Sequence, residues 1–577
     1  MVKLRWISRW VGQGVLAVLV GLMAAGPACA GERLGQADPL ATTTVYLPWA
    51  SRSYTNLAEW TQEAGNAQRT GYINIEPAEP WTLLWTWNGP DGSGGTGNHF
   101  YNAPREARTV AGGGSVFVPA GANGLYALAS DSGQARWNLT ATTFNATPAY
   151  DPATGMVFAG GADGKLYKVN AATGAATTYT VGSPVNRAVL VADGFVYALA
   201  ENGQLHKVNA VTLAQAWVYS AGSDTVRGSG LAYSASRDVL VFGTSDLYVH
   251  AVNNSSGTQK WKVKPTSNPP TANQYEYRWY WPVVADSAGV VFLRMRLEHN
   301  AGLWGYTGNA KGIWPNSNGE ARTFLNNNAA KQNLFALNLD DGTKKFIPAV
   351  GYGGTEDLCS GQACLTTGPL PVVRSWADGK QVAYIPFRNG QSNPPDGRWD
   401  SHMGEMVLDG STISGLAAGD LRFVRMSRYN GAGGNSYIHV TDELNPITMA
   451  GTTLFHAHWG ASEAVRITDR ASSRGLSYSN PIVTANRPAV IRRQASCGNF
   501  NATTHSTTCG LTLFGDGRYW DGPGFWTYWN TFDPPTPTSA SQAYSDGMRP
   551  RYTYVSGKLL VMEGNGGELM VFRHSGP

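Results

Sequence analysis

One pattern of about 40 residues recurs in the first half of the chain, and it limits the possible folds more than any other feature. Each copy is a short apolar strand, a tight turn and a second apolar strand, and the copies span 116–128, 157–169, 196–208 and 240–252. The equivalent positions are 41, 39 and 44 residues apart: Leu125, Leu166, Leu205 and Val249. A period of this length with several strands per unit predicts the blades of a β-propeller.

An aromatic residue follows each copy after a further turn: Trp137, Tyr179, Trp217 and Trp261. A blade cannot bury both of its faces alone, so we expect these rings to pack between neighbouring blades. His206 and His250 stand where the first two copies have Tyr126 and Tyr167. We therefore expect both histidines to pack between blades rather than to take part in catalysis.

The composition agrees with an all-β chain of short strands. There are 69 glycines, and only 15% of the residues are charged. These values suit many tight turns, and they exclude a helical or a disordered protein.

The first 30 residues are typical of a secretory signal peptide. Lys3, Arg5 and Arg9 precede an apolar run at 14–25, and Ala28-Cys29-Ala30 supplies small residues for cleavage. We expect an exported protein, periplasmic or extracellular, with an N-terminal extension at 31–80. A lipid anchor on Cys29 is disfavoured, because Gly26-Pro-Ala lacks the usual leucine. Cleavage removes three positive charges and lowers the net charge from +4 to +1.

Charge and hydropathy argue against two classes of partner. The chain has no basic tract, so we expect no nucleic acid partner. No run after the signal peptide is apolar enough for a membrane span. Four cysteines would remain after cleavage, and the local pairs Cys359–Cys364 and Cys497–Cys509 are the simplest of three possible disulfide connectivities.

Residues 81–577 are predicted to form one propeller of eight blades, with seven or nine as alternatives. The segment 83–87 has the pattern of an outermost strand whose sheet is completed by strands from the C-terminus. Four loops are too long for ordinary turns and are predicted insertions: 262–280, 294–332, 388–402 and 515–548. The segment 479–532 fits either a degenerate blade or an excursion from the ring.

The repeat resembles a known family. The segment 157–179 contains Asp163-Gly164 and Thr173-Gly174 and is similar to the pyrroloquinoline-quinone-type propeller repeat. The residues Trp60…Gly65-Asn66…Arg69-Thr70-Gly71 resemble the segment that precedes the first blade in many proteins of this family. The resemblance implies a propeller fold but no single activity. The family includes quinoprotein dehydrogenases, the propeller lipoprotein of outer-membrane assembly, and exported proteins that bind no quinone.

A quinoprotein dehydrogenase of this family would need calcium ligands, an aspartate base, an aromatic plate and, typically, adjacent cysteines. The chain has no Cys-Cys pair, since Cys359 and Cys364 are separated by four residues, and it has no CxxCH for a c-type haem. No catalytic residue is predicted. Pyrroloquinoline quinone and calcium remain the alternative, as cofactors of an alcohol or sugar dehydrogenase.

His456-Ala-His458 is the candidate metal site. On a strand the two histidines point the same way, about 7 Å apart, and could share an ion. The candidates for completing the ligand set are Glu463, Asp469, His402 and His439. A packed strand would explain the same residues.

Two segments, 274–281 and 518–529, are dense in aromatic residues. The candidate contact residues are Tyr277, Trp279, Trp281, Trp520, Trp526 and Trp529. Exposed rings could stack on sugars or anchor a protein, or else they could cap the propeller without meeting a ligand. The favoured hypothesis is a monomeric, non-enzymatic propeller that binds a protein or polysaccharide through its long loops.

Overall fold

The residues that the computed structural model describes all belong to one unit, Asn56–Pro577, and most of them lie in strands and the turns between them. The residues that it describes are 58–77, 81–87, 106–226, 230–270, 281–295, 318–350, 371–376, 379–389, 400–409, 416–427, 446–458, 461–466, 489–493, 511–515, 530–532, 550–564 and 569–574, with 89, 104, 277, 297–298, 365–366, 370 and 567 between them. The cysteines of both predicted disulfides and the predicted signal peptide lie outside these residues.

Two strands precede the first blade: β1 (Tyr72–Ile73) and β2 (Trp81–Trp87). Blades 1 to 4 are four-stranded antiparallel meanders that follow the sequence order. Their strands are β3 (Val110–Gly112), β4 (Ser115–Pro119), β5 (Leu125–Ala129) and β6 (Ala135–Leu139); β7 (Ala149–Asp151), β8 (Met156–Gly160), β9 (Lys165–Asn170) and β10 (Ala176–Thr180); β11 (Leu190–Ala192), β12 (Phe195–Leu199), β13 (Gln204–Asn209) and β14 (Gln215–Ser220); and β15 (Leu231–Ser234), β16 (Val239–Gly243), β17 (Val249–Asn253) and β18 (Gln259–Val263).

Blades 5 and 6 keep the four-stranded plan around longer connections. Blade 5 is β19 (Val283–Ala285), β20 (Val290–Arg294), β22 (Leu334–Asn338) and β23 (Lys344–Phe346), and blade 6 is β25 (Val372–Ser375), β26 (Gln381–Asn389), β27 (Asp400–Val407) and β28 (Leu421–Ser427). Between β20 and β22 lie β21 (Leu297–Glu298) and the helix α1 (Asn318–Asn327), and β21 pairs with β24 (Leu365–Thr366). No helix in the described part of the chain is long and apolar enough to cross a membrane.

Blade 7 contains the described residues of 479–532, the segment that fits either a degenerate blade or an excursion. Its strands are β29 (Thr448–Ala450), β30 (Thr453–His458), β31 (Ala461–Arg466), β32 (Ala489–Arg493), β33 (Leu511–Gly515) and β34 (Asn530–Phe532). The last three continue the sheet of the first three, and β1 pairs in parallel with β29, so that the sheet has seven strands. The described residues of 479–532 therefore extend a blade rather than form a separate one.

Blade 8 closes the ring, as the sequence predicts. It contains β35 (Pro550–Ser556), β36 (Leu559–Gly564) and β37 (Leu569–His574), with β2 antiparallel to β37 as the outermost strand. The first and last strands thus share one sheet, which removes the free edges at both ends of the ring. The prediction of an all-β propeller with eight blades is confirmed.

Burial follows the position of a strand within its blade. All five residues of β4 and of β5 are buried, because neighbouring blades cover both faces of these middle strands. The outermost strand β6 is mainly exposed. Near-continuous apolar runs in the middle strands are the pattern expected of sheets that are packed on both sides.

Candidate functional site

The residues just before the first blade form a segment at the centre of the propeller. We call residues 58–73 the axial segment, because it bonds to the first strands of the blades in turn, or in blade 8 to the turn after it. The bonds, in blade order, are Ala111 N to Trp60 O at 2.8 Å, Tyr150 N to Thr61 O at 2.7 Å, Val191 N to the Gln62 side chain at 3.1 Å, Tyr233 N to Ala67 O at 2.9 Å, Val284 N to Gln68 O at 2.9 Å, Val373 N to Thr70 O at 2.8 Å, Met449 N to Gly71 O at 2.8 Å, and Gly557 N to Ala58 O at 2.9 Å.

These bonds satisfy backbone N–H groups on the inner edge of each blade. The first strand of each blade is the inner edge of its sheet, and one side of it presents backbone N–H groups with no strand beside them. A buried N–H without a partner costs free energy comparable to a lost hydrogen bond. The axial segment supplies acceptors to all eight blades, so one stretch of chain ties the whole ring together.

A path of this curvature needs unusual backbone angles. Gly65 and Gly71 have φ values of +85° and +67°, and the non-glycine residues Ala64 and Arg69 have φ values of +51° and +60°. The left-handed region costs a non-glycine residue roughly 1 to 2 kcal/mol. The surrounding bonds hold these angles; for example, Asn66 donates to the Thr70 hydroxyl at 2.6 Å, and its amide oxygen accepts from Thr70 N at 3.1 Å.

Arg69 is the charged centre of the axial segment. Its side chain is buried, and it donates to Leu231 O at 2.9 Å, to Glu63 O at 2.8 Å and to Val189 O at 3.0 Å. Burial lowers the pKa of Arg69 to about 10, so the guanidinium remains charged at neutral pH. One side chain therefore joins the axial segment to blades 3 and 4.

A second buried polar group lies towards blades 1, 2 and 8. Glu63 accepts a hydrogen bond from the Thr147 hydroxyl, and burial raises its pKa against the opposing charge of Arg108. Trp60 stacks on Tyr554 at a centroid distance of 5.3 Å and meets Tyr552 edge-on at 6.2 Å. Glu63 and Trp60 of the axial segment thus contact residues of blades 2 and 8 near the first strands.

The junctions between blades follow one design. A tryptophan on the outermost strand donates its indole N–H to a carbonyl in the last turn of the next blade. These bonds are Trp85 to Ser130 O at 3.0 Å, Trp137 to Ala171 O at 2.9 Å, Trp217 to Asn254 O at 2.8 Å and Trp261 to Leu339 O at 3.0 Å. We call these residues docking tryptophans. The prediction that Trp137, Trp217 and Trp261 pack between blades is confirmed.

A glycine receives each docking tryptophan. Gly133, Gly174, Gly257 and Gly342 all have positive φ. A Cβ atom on any of them would lie 2.6 to 2.8 Å from the ring of the tryptophan that docks there. Each docking tryptophan therefore needs a glycine in the turn of the next blade, because any side chain there would overlap its ring.

The junction between blades 2 and 3 departs from this design. In blade 1, Trp137 pairs with Ala127, and the equivalent pair in blade 2 is Thr177 with Lys168. Blade 2 therefore has no docking tryptophan. The Lys168 ammonium donates instead to Val211 O in the last turn of blade 3. In that turn Leu213, with a φ of +59°, takes the place of the glycine.

Tyr179 packs between blades 2 and 3, as expected, but it does not take the position of a docking tryptophan. Tyr179 pairs with Leu166, two residues before Lys168 along β9, and not with Lys168 itself. Its hydroxyl donates to Gln215 Oε1 at 2.6 Å and lies 3.1 Å from His206 Nδ1. Tyr219, His250 and Gln259 repeat this contact between blades 3 and 4, so both histidines pack between blades as predicted.

Comparison with known proteins supports the repeat seen in the fold. Residues 78–177 and 123–295 match the family model described as outer membrane protein assembly factor BamB. These residues carry the PQQ-like propeller repeat. BamB from Moraxella catarrhalis has 11% identity and a TM-score of 0.43, over 86% of this chain and 100% of its own. A europium-containing methanol dehydrogenase has 13% identity and a TM-score of 0.42, over 90% and 98%. No curated protein matches significantly.

Those of the proposed metal ligands that the structure describes lie on two blades of the propeller. His456 and His458 lie on β30, two residues apart as predicted, and His456 pairs across the ladder with Glu463. His402 lies on β27 in blade 6, and Asp469 and His439 lie outside the described residues. The side chains of His456, His458, Glu463 and His402 lie outside those that the structure describes, so the metal site stays a prediction.

Two of the predicted aromatic contact residues are buried. Tyr277 is 4% exposed, and its hydroxyl donates to Leu247 O at 3.2 Å. Trp281 is 8% exposed in the core beside blade 5. Neither ring is available to a partner, because each is covered by the propeller itself. Trp279, Trp520, Trp526 and Trp529 lie outside the described residues.

Proposed function

We propose that this protein is an exported, monomeric and non-enzymatic PQQ-like propeller that binds a protein partner at its surface. The observation that carries the proposal is the axial segment. In a propeller the central channel is a natural place for a small ligand, because all blades converge there. Here residues 58–73 of the chain itself bond to every blade at the centre.

The axial residues are a poor cradle for a planar quinone. The Arg69 guanidinium, which could bind a carboxylate, is already bonded to three backbone carbonyls. Trp60, which could serve as an aromatic plate, is already stacked on Tyr554. The residues at this level would have to give up their internal contacts before a quinone could bind.

The family description points in the same direction. The model that matches residues 78–295 is described as an outer membrane protein assembly factor, which is a protein that works on other proteins. Fold alone does not fix function, so we use this only to choose the first class of partner to test.

Thermal melting with and without pyrroloquinoline quinone plus calcium tests the non-enzymatic part of the proposal. We expect no change in melting temperature, with calcium alone as the control. A site held at a hundred times its dissociation constant would add about 2.7 kcal/mol of stability. A clear upward shift, together with dye reduction in the presence of an alcohol or sugar, would replace this proposal with a quinoprotein oxidoreductase.

Isolation of the protein from its own cells under mild conditions tests the binding part. We expect a stoichiometric complex with a protein. A glycan array run alongside separates the second class of ligand: binding there, with no protein complex, would make a polysaccharide the partner and contradict the proposal.

A further inference from the structure

The outer edges of blades 1 to 5 are protected to different degrees. An exposed edge strand is a template on which another strand can pair, and a β-bulge twists such an edge away from a partner. The outermost strands β6, β14, β18 and β23 each have a register shift at the same place in their ladder. The ladder between β9 and β10 has none: its five pairs run without interruption from Ala176 to Thr180.

The side chains of β10 add no protection. β18 carries Lys260 and Lys262, and β23 carries Lys344 and Lys345, which discourage pairing. The sequence of β10 is Ala-Thr-Thr-Tyr-Thr, which has no charge and no proline, and four of its five residues are exposed. Threonine and tyrosine are both enriched in strands. β14 is also uncharged, but it is bulged and holds a docking tryptophan.

An exposed apolar residue lies at the same junction. Val211 is 62% exposed and is the one exposed large apolar residue in the described part of the chain. Its carbonyl accepts the hydrogen bond from Lys168, which is the direct neighbour of Thr177 on β10. Lys168 therefore links the edge of β10 to the turn that carries Val211.

We propose that β10 is a docking strand that takes an extended segment of a partner protein as a fifth strand of blade 2. The backbone groups on the outer side of a flat edge repeat at the spacing of a strand, which an extended peptide matches. The absence of charge on β10 favours an uncharged segment, with an apolar residue placed to cover Val211. This inference rests on the proposed function, since it names the class of partner.

A second copy of the chain is a weaker occupant. The only large side chain that another β10 could offer is Tyr179, and that ring is already engaged in its own blade junction with His206 at a centroid distance of 5.8 Å. The contact with Val211 would then remain uncovered.

Selection of a displayed library of ten-residue peptides on the full protein tests the proposal. We expect enriched peptides to alternate β-branched and polar residues and to lose at least tenfold in affinity on Thr178→Lys. The matched control is Ala216→Lys, at an exposed position of the bulged strand β14, and it should keep affinity within twofold. Thr180→Lys repeats the test at a second exposed position, in case the first variant is unstable.

Hydrogen exchange gives an independent readout. A bound peptide should slow the exchange of β10 amides that do not bond to β9, and it should leave β14 unchanged. Enrichment of no peptide, or of peptides indifferent to both lysine variants, would overturn the proposal. So would a dimer that Thr178→Lys dissociates, because the occupant would then be a second copy. If Thr178→Lys still isolates with its native protein partner, this inference fails while the proposed function stands.

Discussion

The junction between blades 1 and 2 and the junction between blades 2 and 3 perform the same task with different residues. At the first, Trp137 bonds to Ala171 O and its ring lies over Gly174. At the second there is neither a docking tryptophan nor a glycine, and Lys168 and Leu213 take their places. Tryptophan and glycine are absent together because the glycine is needed only where a ring must lie close to the backbone.

The largest expected effect is the loss of stability when the ring of a docking tryptophan is removed. Trp217→Ala should lower stability by about 3 to 5 kcal/mol, because it leaves a cavity and removes one of the two hydrogen bonds that Asn254 O accepts, the other being from Lys207. Thr177→Ala, at the position without a ring, should cost no more than about 0.5 kcal/mol. Denaturant midpoints of both variants measure the difference. Equal midpoints would mean that docking tryptophans contribute nothing to the junctions.

The receiving glycine gives the next largest effect. Gly257→Leu places a side chain at a φ of +71° and a Cβ atom 2.7 Å from the Trp217 ring, so we expect a loss of about 3 kcal/mol. The reverse change at the other junction, Leu213→Gly, relieves a left-handed leucine but removes some buried apolar surface. It should change stability by less than about 1 kcal/mol. A large loss in Leu213→Gly would show that the leucine is essential packing.

The pKa values of His206 and His250 are both lowered in the folded protein. Burial lowers the pKa of His206, and burial together with Lys262 lowers the pKa of His250 to about 4 against the pull of Asp246. Asp224 also faces His250, at 3.5 Å from Nε2. An unfolded histidine has a pKa near 6.5, so the unfolded chain binds more protons between pH 6.5 and pH 4.

Stability should therefore be fully present above about pH 6.5 and decline as the pH falls towards 4. For His250 we expect a loss of about 2 kcal/mol by pH 4.5. Melting curves of the wild type and His250→Gln across this range isolate the contribution from that of the carboxylates. A pH slope that does not change in the variant would show that His250 is protonated in the folded state without cost.

The fold was predictable because it rests on local patterns. Strand alternation, turn residues and the period of about 40 residues all lie within one blade, and they led to eight blades closed by 83–87. Tyr179 was misassigned because two differences in spacing add up. Trp137 is four residues after Gly133, whereas Tyr179 is five after Gly174, and blade 2 also lacks the bulge residue that precedes Trp137, so Tyr179 lies two positions further along its ladder.

The course of the axial segment could not be predicted in the same way. Its bonds join 58–73 to eight separate blades, and nearly all of the acceptors are backbone carbonyls, which leave no mark on residue type. Only the turns are visible in the sequence, as Gly65, Asn66, Thr70 and Gly71. The family resemblance includes Arg69, which these residues surround, but the sequence does not reveal its bonds to blades 3 and 4.

The smallest expected effect tests whether tryptophan and leucine exclude one another at the junction between blades 2 and 3. Thr177→Trp alone should destabilise the protein, because the new ring meets the Leu213 side chain instead of open backbone. In combination with Leu213→Gly the ring gains the surface that Gly174 offers to Trp137. We expect a favourable coupling of about 1 kcal/mol between the two changes, measured as a double-mutant cycle on denaturant midpoints.

The control for this cycle is Thr177→Val with Leu213→Gly, which introduces no ring and should show no coupling. Blade 2 also lacks the bulge residue that blades 1, 3, 4 and 8 have before their docking tryptophan, so the ring at 177 starts from a flatter strand. If the effects of Thr177→Trp and Leu213→Gly on stability simply add, docking of a tryptophan needs the bulge as well as the glycine. That outcome would tie the flat edge of β10 and the missing tryptophan to one structural cause, the absence of the bulge residue from β10.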